Sequence, residues 1–216
     1  MSSDNGLVLY ILKQKIALAS WGYRKRIFKI TPQEFLYFAR EDFSQNSKRS
    51  LVNGLSNAKR AIDCQLDSIL YVIGYYEKSK KEQWHFPQKI QFLRDFGIVS
   101  PNILKRVNRT RNLLEHEYIC PSKSSVENAI DVAELFLIAT EKMTDRKVYD
   151  FSFDLSMNKK LAKKVNNMVY SQLLFEYNKK NHCLYIELDK KVIINKNHPR
   201  YNDLLRKYIE FMKSSL

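Results

Sequence analysis

Turn-making residues are scarce in this chain, which has five glycines and five prolines in 216 residues. An all-β protein needs such residues at many tight turns, so their shortage disfavours that class and favours long helices. Cysteine is sparse as well. Cys64, Cys120 and Cys183 are far apart, odd in number and never form a C-x-x-C pair, so neither a disulfide framework nor a zinc knuckle is expected. They read as buried free thiols in a reducing compartment. The first residues lack the basic, apolar and small-residue segments of a leader, and the apolar run 7–12 is too short to span a bilayer. A cytoplasmic location and no membrane partner are expected. No glycine-rich phosphate loop, H-E-x-x-H or G-x-S-x-G is present. Nucleotide hydrolases, metalloproteases and serine hydrolases are therefore disfavoured, and neither a cofactor nor a metal is expected.

Positive charge is abundant. Lys and Arg number 37 against 23 Asp and Glu, a formal net charge of +14 that would steer polyanions toward the protein. RNA or another nucleic acid is the first partner to consider. Lys-Lys pairs spread from Lys80-Lys81 to Lys190-Lys191 allow a second explanation, in which the charge only solvates the surface. Hydrophobic residues make up 44% of the chain, enough for a substantial core without covalent staples.

Helix signals dominate the first two thirds. Thr31-Pro32-Gln33-Glu34 combines an N-cap hydroxyl, a proline at the first helical position and a glutamate able to close a capping box, which predicts a helix over 32–43. After a polar break at 42–47, Leu51, Leu55, Ala58, Ile62, Leu66, Ile69 and Ile73 recur at three- and four-residue intervals. They predict a core helix over 48–78, with Lys48, Arg49, Lys59, Arg60 and Asp63 off its apolar stripe. Gly54 inside that helix points to a close neighbour. The charged run 77–83 reads as an exposed loop, and 87–96 as a short helix with Ile90, Leu93 and Phe96 inward, stopped by Gly97. Ser100-Pro101 opens a helix over 101–118 that Cys120-Pro121 stops, and Ser124 with Glu127 predicts a capping box for a last helix to about Met143.

Beyond Asp145 the pattern changes. Tyr149, Phe151, Phe153 and Leu155 alternate with polar residues, 173–177 is aromatic and apolar, and two β-branched runs, 182–188 and 191–195, flank the turn-like Asp189-Lys190. Pro199 then opens an amphipathic helix with Tyr201, Leu204, Leu205, Tyr208, Ile209 and Met212 on one side. Three regions follow: 1–30, where 7–30 is ambiguous between helix and strand; a helical bundle over 31–145; and a small antiparallel sheet with a C-terminal helix over 146–216.

On the helix from Pro101, Leu104, Val107, Leu114 and Tyr118 keep a three-four rhythm whose missing member is Arg111. A guanidinium on an apolar stripe must be paired or must face a cleft, because burying it alone costs several kcal/mol. Asp63 or Asp67 could pair it as a purely structural contact. His116 lies five residues on, about 140° around an ideal helix, so Arg111 can approach it only by wrapping or through an irregular last turn, which Pro121 could loosen.

Arg111-Asn112, His116 and Tyr118 together spell R-N-x-x-x-H-x-Y at the end of a helix in an all-α region. This resembles the HEPN superfamily, most closely its HepT-type toxins, whose R-x4-H-x-Y signature is met by Arg111, His116 and Tyr118. The resemblance covers 31–143; the stretch from 146 on has no counterpart in it. With the periodicity it implies a mainly α protein, a HEPN-like helical bundle with a small C-terminal α+β appendage. It also implies a metal-independent endoribonuclease of toxin or antiviral-defence type, a homodimer whose motif helices face across a shared basic cleft. RNA would be cut by attack of its own 2′-OH, leaving a 2′,3′-cyclic phosphate. His116 would be the general acid or base and Arg111 the bidentate phosphate clamp. Asn112 would orient the imidazole or the RNA, and Lys59 and Arg60 would contact substrate. Tyr118 would be the residue that a partner antitoxin nucleotidyltransferase modifies. Glu115 and Glu117 depart from this picture, because carboxylates beside the histidine repel phosphate. Two other outcomes stay open, a non-catalytic HEPN-like module that binds nucleic acid or protein and a structural bundle in which Arg111 is only an ion pair.

Overall fold

Thr31 caps the first long helix as its sequence predicts: its hydroxyl oxygen accepts the Glu34 N–H at 3.2 Å, and the Glu34 carboxylate accepts the Thr31 N–H at 2.8 Å. The computed structural model describes residues 8–9, 11–13, 16–23, 26–98, 101–154, 170–178, 183–187 and 191–214. It is mainly helical and divides into two compact units, one over Lys25–Thr144 and one made of Met1–Arg24 with Asp145–Leu216.

The helical unit contains α1 (Pro32–Ser44), α2 (Lys48–Val72), α3 (Tyr76–Lys81), α4 (Phe86–Asp95), α5 (Pro101–Glu117) and α6 (Lys123–Asp145), whose last residue belongs to the other unit. The predicted stripe of α2 is its spine. Leu55, Ala58, Ile62, Leu66, Ile69 and the following Ile73 are fully buried, together with Ile90 and Leu93 of α4, Leu104 of α5 and Val126 and Ala133 of α6. Each Leu, Ile or Val among them contributes roughly 1.5–3 kcal/mol on leaving water. Gly54 has the close neighbours expected of it. A Cβ there would lie 3.2 Å from Val126 Cγ1 and 3.3 Å from the Ala39 carbonyl oxygen, so α1 and α6 approach α2 where it has no side chain. Further along, Gln65 Nε2 donates to Thr140 Oγ1 at 2.7 Å, a buried polar link between α2 and α6.

Four local expectations are corrected. The spine helix ends at Val72 rather than 78, because Gly74 takes φ 79° and the Tyr75 N–H turns back to the Leu70 carbonyl at 2.8 Å, a glycine-type helix stop. The charged run expected as a loop forms α3. The cap of α6 is Ser122 rather than Ser124, its Oγ accepting the Ser125 N–H at 3.2 Å. Lys59, expected off the buried face, is 6% exposed.

The second unit is a five-stranded sheet in the order β1 (Ile16–Tyr23), β2 (Arg146–Asp154), β3 (Tyr170–Asn178), β4 (Cys183–Glu187), β5 (Lys191–Asn195), antiparallel throughout. The segment that the sequence left ambiguous supplies an edge strand, Trp21 opposite Val148 and Ala19 opposite Phe151. Leu184 of β4 and its partner Ile194 of β5 are both buried while Ile193 is 55% exposed, the alternation of a half-buried sheet. Helix α7 (Tyr201–Ser214) contacts β4, and its stripe of Tyr201, Leu204, Leu205, Tyr208, Ile209 and Met212 is buried. The expectations at Leu155, His182, Leu188 and Asp189-Lys190 lie outside the described residues. Among the described residues no helix is long and apolar enough to cross a membrane.

Gly54→Val places its new methyl groups against Val126 and the Ala39 carbonyl. It is expected to destabilise the helical unit by about 1–3 kcal/mol, seen as a lower urea midpoint in far-ultraviolet circular dichroism.

Candidate functional site

One face of α5 carries Asn108, Arg111 and Asn112 at i, i+3 and i+4, followed by Glu115 at i+7. Its first three members line a cleft of about 460 Å³, a size that suits a small ligand. The opposite walls are Lys59, Asp63 and Asp67 from α2, and the segment Trp84-His85-Phe86-Pro87 with Lys89 at the start of α4. Position 85 can open that wall because its backbone is extended (ψ 167°) just before the helix begins, with its N–H held by Gln88 Oε1 at 2.7 Å.

The electrostatics of the cleft are three cations, each held by a carboxylate. Lys59 Nζ donates to both Asp63 oxygens at 2.6 and 2.7 Å, and the ammonium also sits 3.8 Å from the centre of the Phe86 ring. Lys89 Nζ donates to Asp67 Oδ1 at 2.5 Å, and Arg111 pairs with Glu115 one turn along α5. Burial pushes Lys59 below the ordinary lysine range; Asp63 opposes that, and the charges of Arg111 and Lys89 add to it. Lys59 therefore feels both of the other cations. Burial likewise pushes the Asp67 carboxyl up, against the pull of Lys89. A phosphate entering here meets three positive groups and must displace or share their carboxylates.

The structure brings Arg111, Asn112 and Lys59 together in this cleft. His116, Arg60 and Tyr118 lie elsewhere. Arg60 is exposed and donates to Asn57 Oδ1 at 3.1 Å. His116 is exposed in the last turn of α5, which stays regular to Glu117 instead of loosening ahead of Pro121. Arg111 therefore turns to Glu115, and the carboxylates expected to pair it, Asp63 and Asp67, hold Lys59 and Lys89. The apolar rhythm of α5 also fades along the helix: Leu104 and Val107 are buried, Leu114 is half-buried and Tyr118 is 89% exposed. Tyr118 ends the helix at φ 55°, a left-handed position usually taken by glycine.

Sequence periodicity missed Lys89, Trp84, His85 and Phe86, which reach the cleft from α4 and the segment just before it. The one local sign was Trp-His-Phe immediately before a proline, an aromatic group at a helix start. Burial raises the half-buried Cys64 thiol to about 11, while Cys120 is exposed. Among the described residues no group of three or more His, Cys, Asp or Glu could hold a metal ion.

Asp63→Ala leaves the Lys59 ammonium buried beside two other cations. Removing one partner of a buried pair costs about 3–5 kcal/mol, reduced to roughly 1–3 here because the Asp63 side chain is 41% exposed. Lys59 is shifted downward, so the folded chain binds fewer protons than the unfolded one and stability rises as pH climbs through the folded-state value. The Asp63→Ala deficit is therefore expected to shrink between about pH 7 and about pH 9.5, and to be largely removed by adding Lys59→Met. Urea midpoints at the two pH values check both.

Comparison of the chain with protein-family models, with curated proteins and with solved structures finds no significant match.

Proposed function

We propose that the helical unit binds RNA at the Arg111 cleft and cleaves it without a metal, as the resemblance to HepT-type HEPN toxins implies. One observation carries this reading: Arg111 and Asn112, two members of the motif, open into the same cleft as Lys59 and Lys89. The formal charge of +14 supplies the long-range attraction. In the reaction, the guanidinium of Arg111 exchanges Glu115 for the scissile phosphate and stabilises charge on its oxygens as the ribose 2′-OH attacks. His116, one turn beyond Asn112, takes the 2′-OH proton or gives one to the 5′-oxygen that departs as the P–O5′ bond breaks, the other proton being exchanged with water, and its exposure leaves it available to RNA lying across the end of α5.

The same exposure suits a homodimer in which two α5 ends face each other. Tyr118, 89% exposed, is accessible to an antitoxin nucleotidyltransferase, so nucleotide attachment there would close the approach to His116. Defence or toxin–antitoxin activity in the cytoplasm belongs to this proposal. A second reading, a non-catalytic RNA- or protein-binding module, is favoured by one feature: His116 does not line the cleft, whose cations are already paired.

Purified protein with excess EDTA is expected to cut single-stranded RNA and leave 2′,3′-cyclic phosphate ends. His116→Ala and Arg111→Ala should each slow this by about 100-fold or more. An inert wild type that still binds RNA would establish the second reading, and loss of RNA binding altogether would end the first and leave only a protein-binding module.

A further inference from the structure

The Arg111 cleft has walls of two different kinds. On one side Trp84 and Phe86 present half-buried aromatic surface; on the other, Asn108 and Asn112 present two amides one turn apart. The aromatic wall is held in place. Trp84 Nε1 donates to Glu82 Oε2 at 2.8 Å, and the indole packs on Phe92 with ring centres 5.0 Å apart. Phe92 in turn contacts Tyr75 at 4.6 Å and Phe96 at 5.0 Å. A binding surface backed by such a cluster loses little freedom when a ligand settles on it.

We infer that this cleft accepts one unpaired nucleotide of a single RNA strand, its base against Trp84 and Phe86, its edge toward Asn108 and Asn112, and its phosphate toward Arg111 and Lys89. The inference deepens the proposed function and rests on it. A nucleobase has flat apolar faces and an edge of alternating donors and acceptors, the pattern that stacking rings and carboxamides match. Base–aromatic stacking tolerates any base, whereas an amide, offering both donor and acceptor, discriminates between edges. A volume of about 460 Å³ holds one nucleotide and no duplex. In a paired A-form helix the base faces are stacked on one another and are closed to such a wall. The cleft thus selects single strands, loops or bulges. The paired cations fit this role: a phosphate alone must compete with Asp67 and Glu115, and the stacked base adds the affinity that competition removes.

Tryptophan emission reads the contact directly. The full chain contains two tryptophans, Trp21 and Trp84, so Trp21→Phe leaves Trp84 as the sole reporter. Titration with a six-residue single-stranded oligoriboadenylate is expected to quench Trp84, and the same oligomer without bases should bind at least about tenfold more weakly. A duplex of equal charge should leave the emission unchanged. Asn108→Leu should weaken the base-bearing oligomer about fivefold and leave the abasic one unaffected, a difference that misfolding would not produce. Equal affinity for the base-bearing and abasic oligomers, with no quench, overturns the nucleotide pocket and leaves the RNA reading standing as a phosphate contact. AMP binding as tightly as the oligomer overturns the assignment to a strand. Failure of every RNA to bind removes the proposed function and this inference together.

Discussion

A buried ammonium needs a counter-charge, and at Lys59 that need organises one side of the helical unit. Its aliphatic stem is enclosed near the spine of α2, its charge is taken by Asp63 one turn on, and the Phe86 ring covers it from the start of α4. Asp67, a further turn along α2, reaches Lys89 of α4, so one ion pair and the contact of Lys59 with the Phe86 ring tie α4 to this side of α2. Helix α5 completes the arrangement, and Arg111 faces a cleft whose other cations are already fixed.

The three pairs also define how the cleft can work. Lys59, Lys89 and Arg111 are each balanced by one carboxylate, so the site stays stable without a ligand and does not present a bare positive patch. Exchange is easiest at the most exposed pair. Arg111 and Glu115 are each about one third exposed, whereas Lys59 is almost enclosed, so the guanidinium is the group most readily released to an incoming phosphate. In the proposed role the carboxylates beside the motif would act as a threshold: a weakly held anion would not displace Glu115, and a strand that also stacks a base would.

Much of this was legible along the chain because its causes are local. The Thr31 capping box, the stripe of α2, the stop at Gly97 and the start at Pro101 each depend on residues within one or two turns. What was not legible depends on partners far away in sequence. Lys59 lies at a position that periodicity assigns to solvent, yet it is buried, with the Phe86 ring of another helix over its ammonium. The Asp63 and Asp67 carboxylates were natural partners for Arg111 until Lys59 and Lys89 claimed them. Strand β1 pairs with a strand more than a hundred residues away, so neither its own hydrophobicity nor its ends could settle its conformation. Helix α3 was hidden by its charge, since Tyr76 and Ser79 are the positions that turn inward. The motif itself was legible, but its division was not: Arg111 and Asn112 enter the cleft, and His116 stands at the free end of the helix.

Arg111 is where sequence motif and cleft coincide, and the salt dependence of RNA binding tests its role. With single-stranded RNA titrated into wild-type protein and Arg111→Ala across a range of potassium chloride concentrations, losing a phosphate contact should weaken binding and lower the slope of log affinity against log salt by about one. An Arg111→Ala protein with the wild-type affinity and slope would contradict the account and leave Arg111 as a structural partner of Glu115.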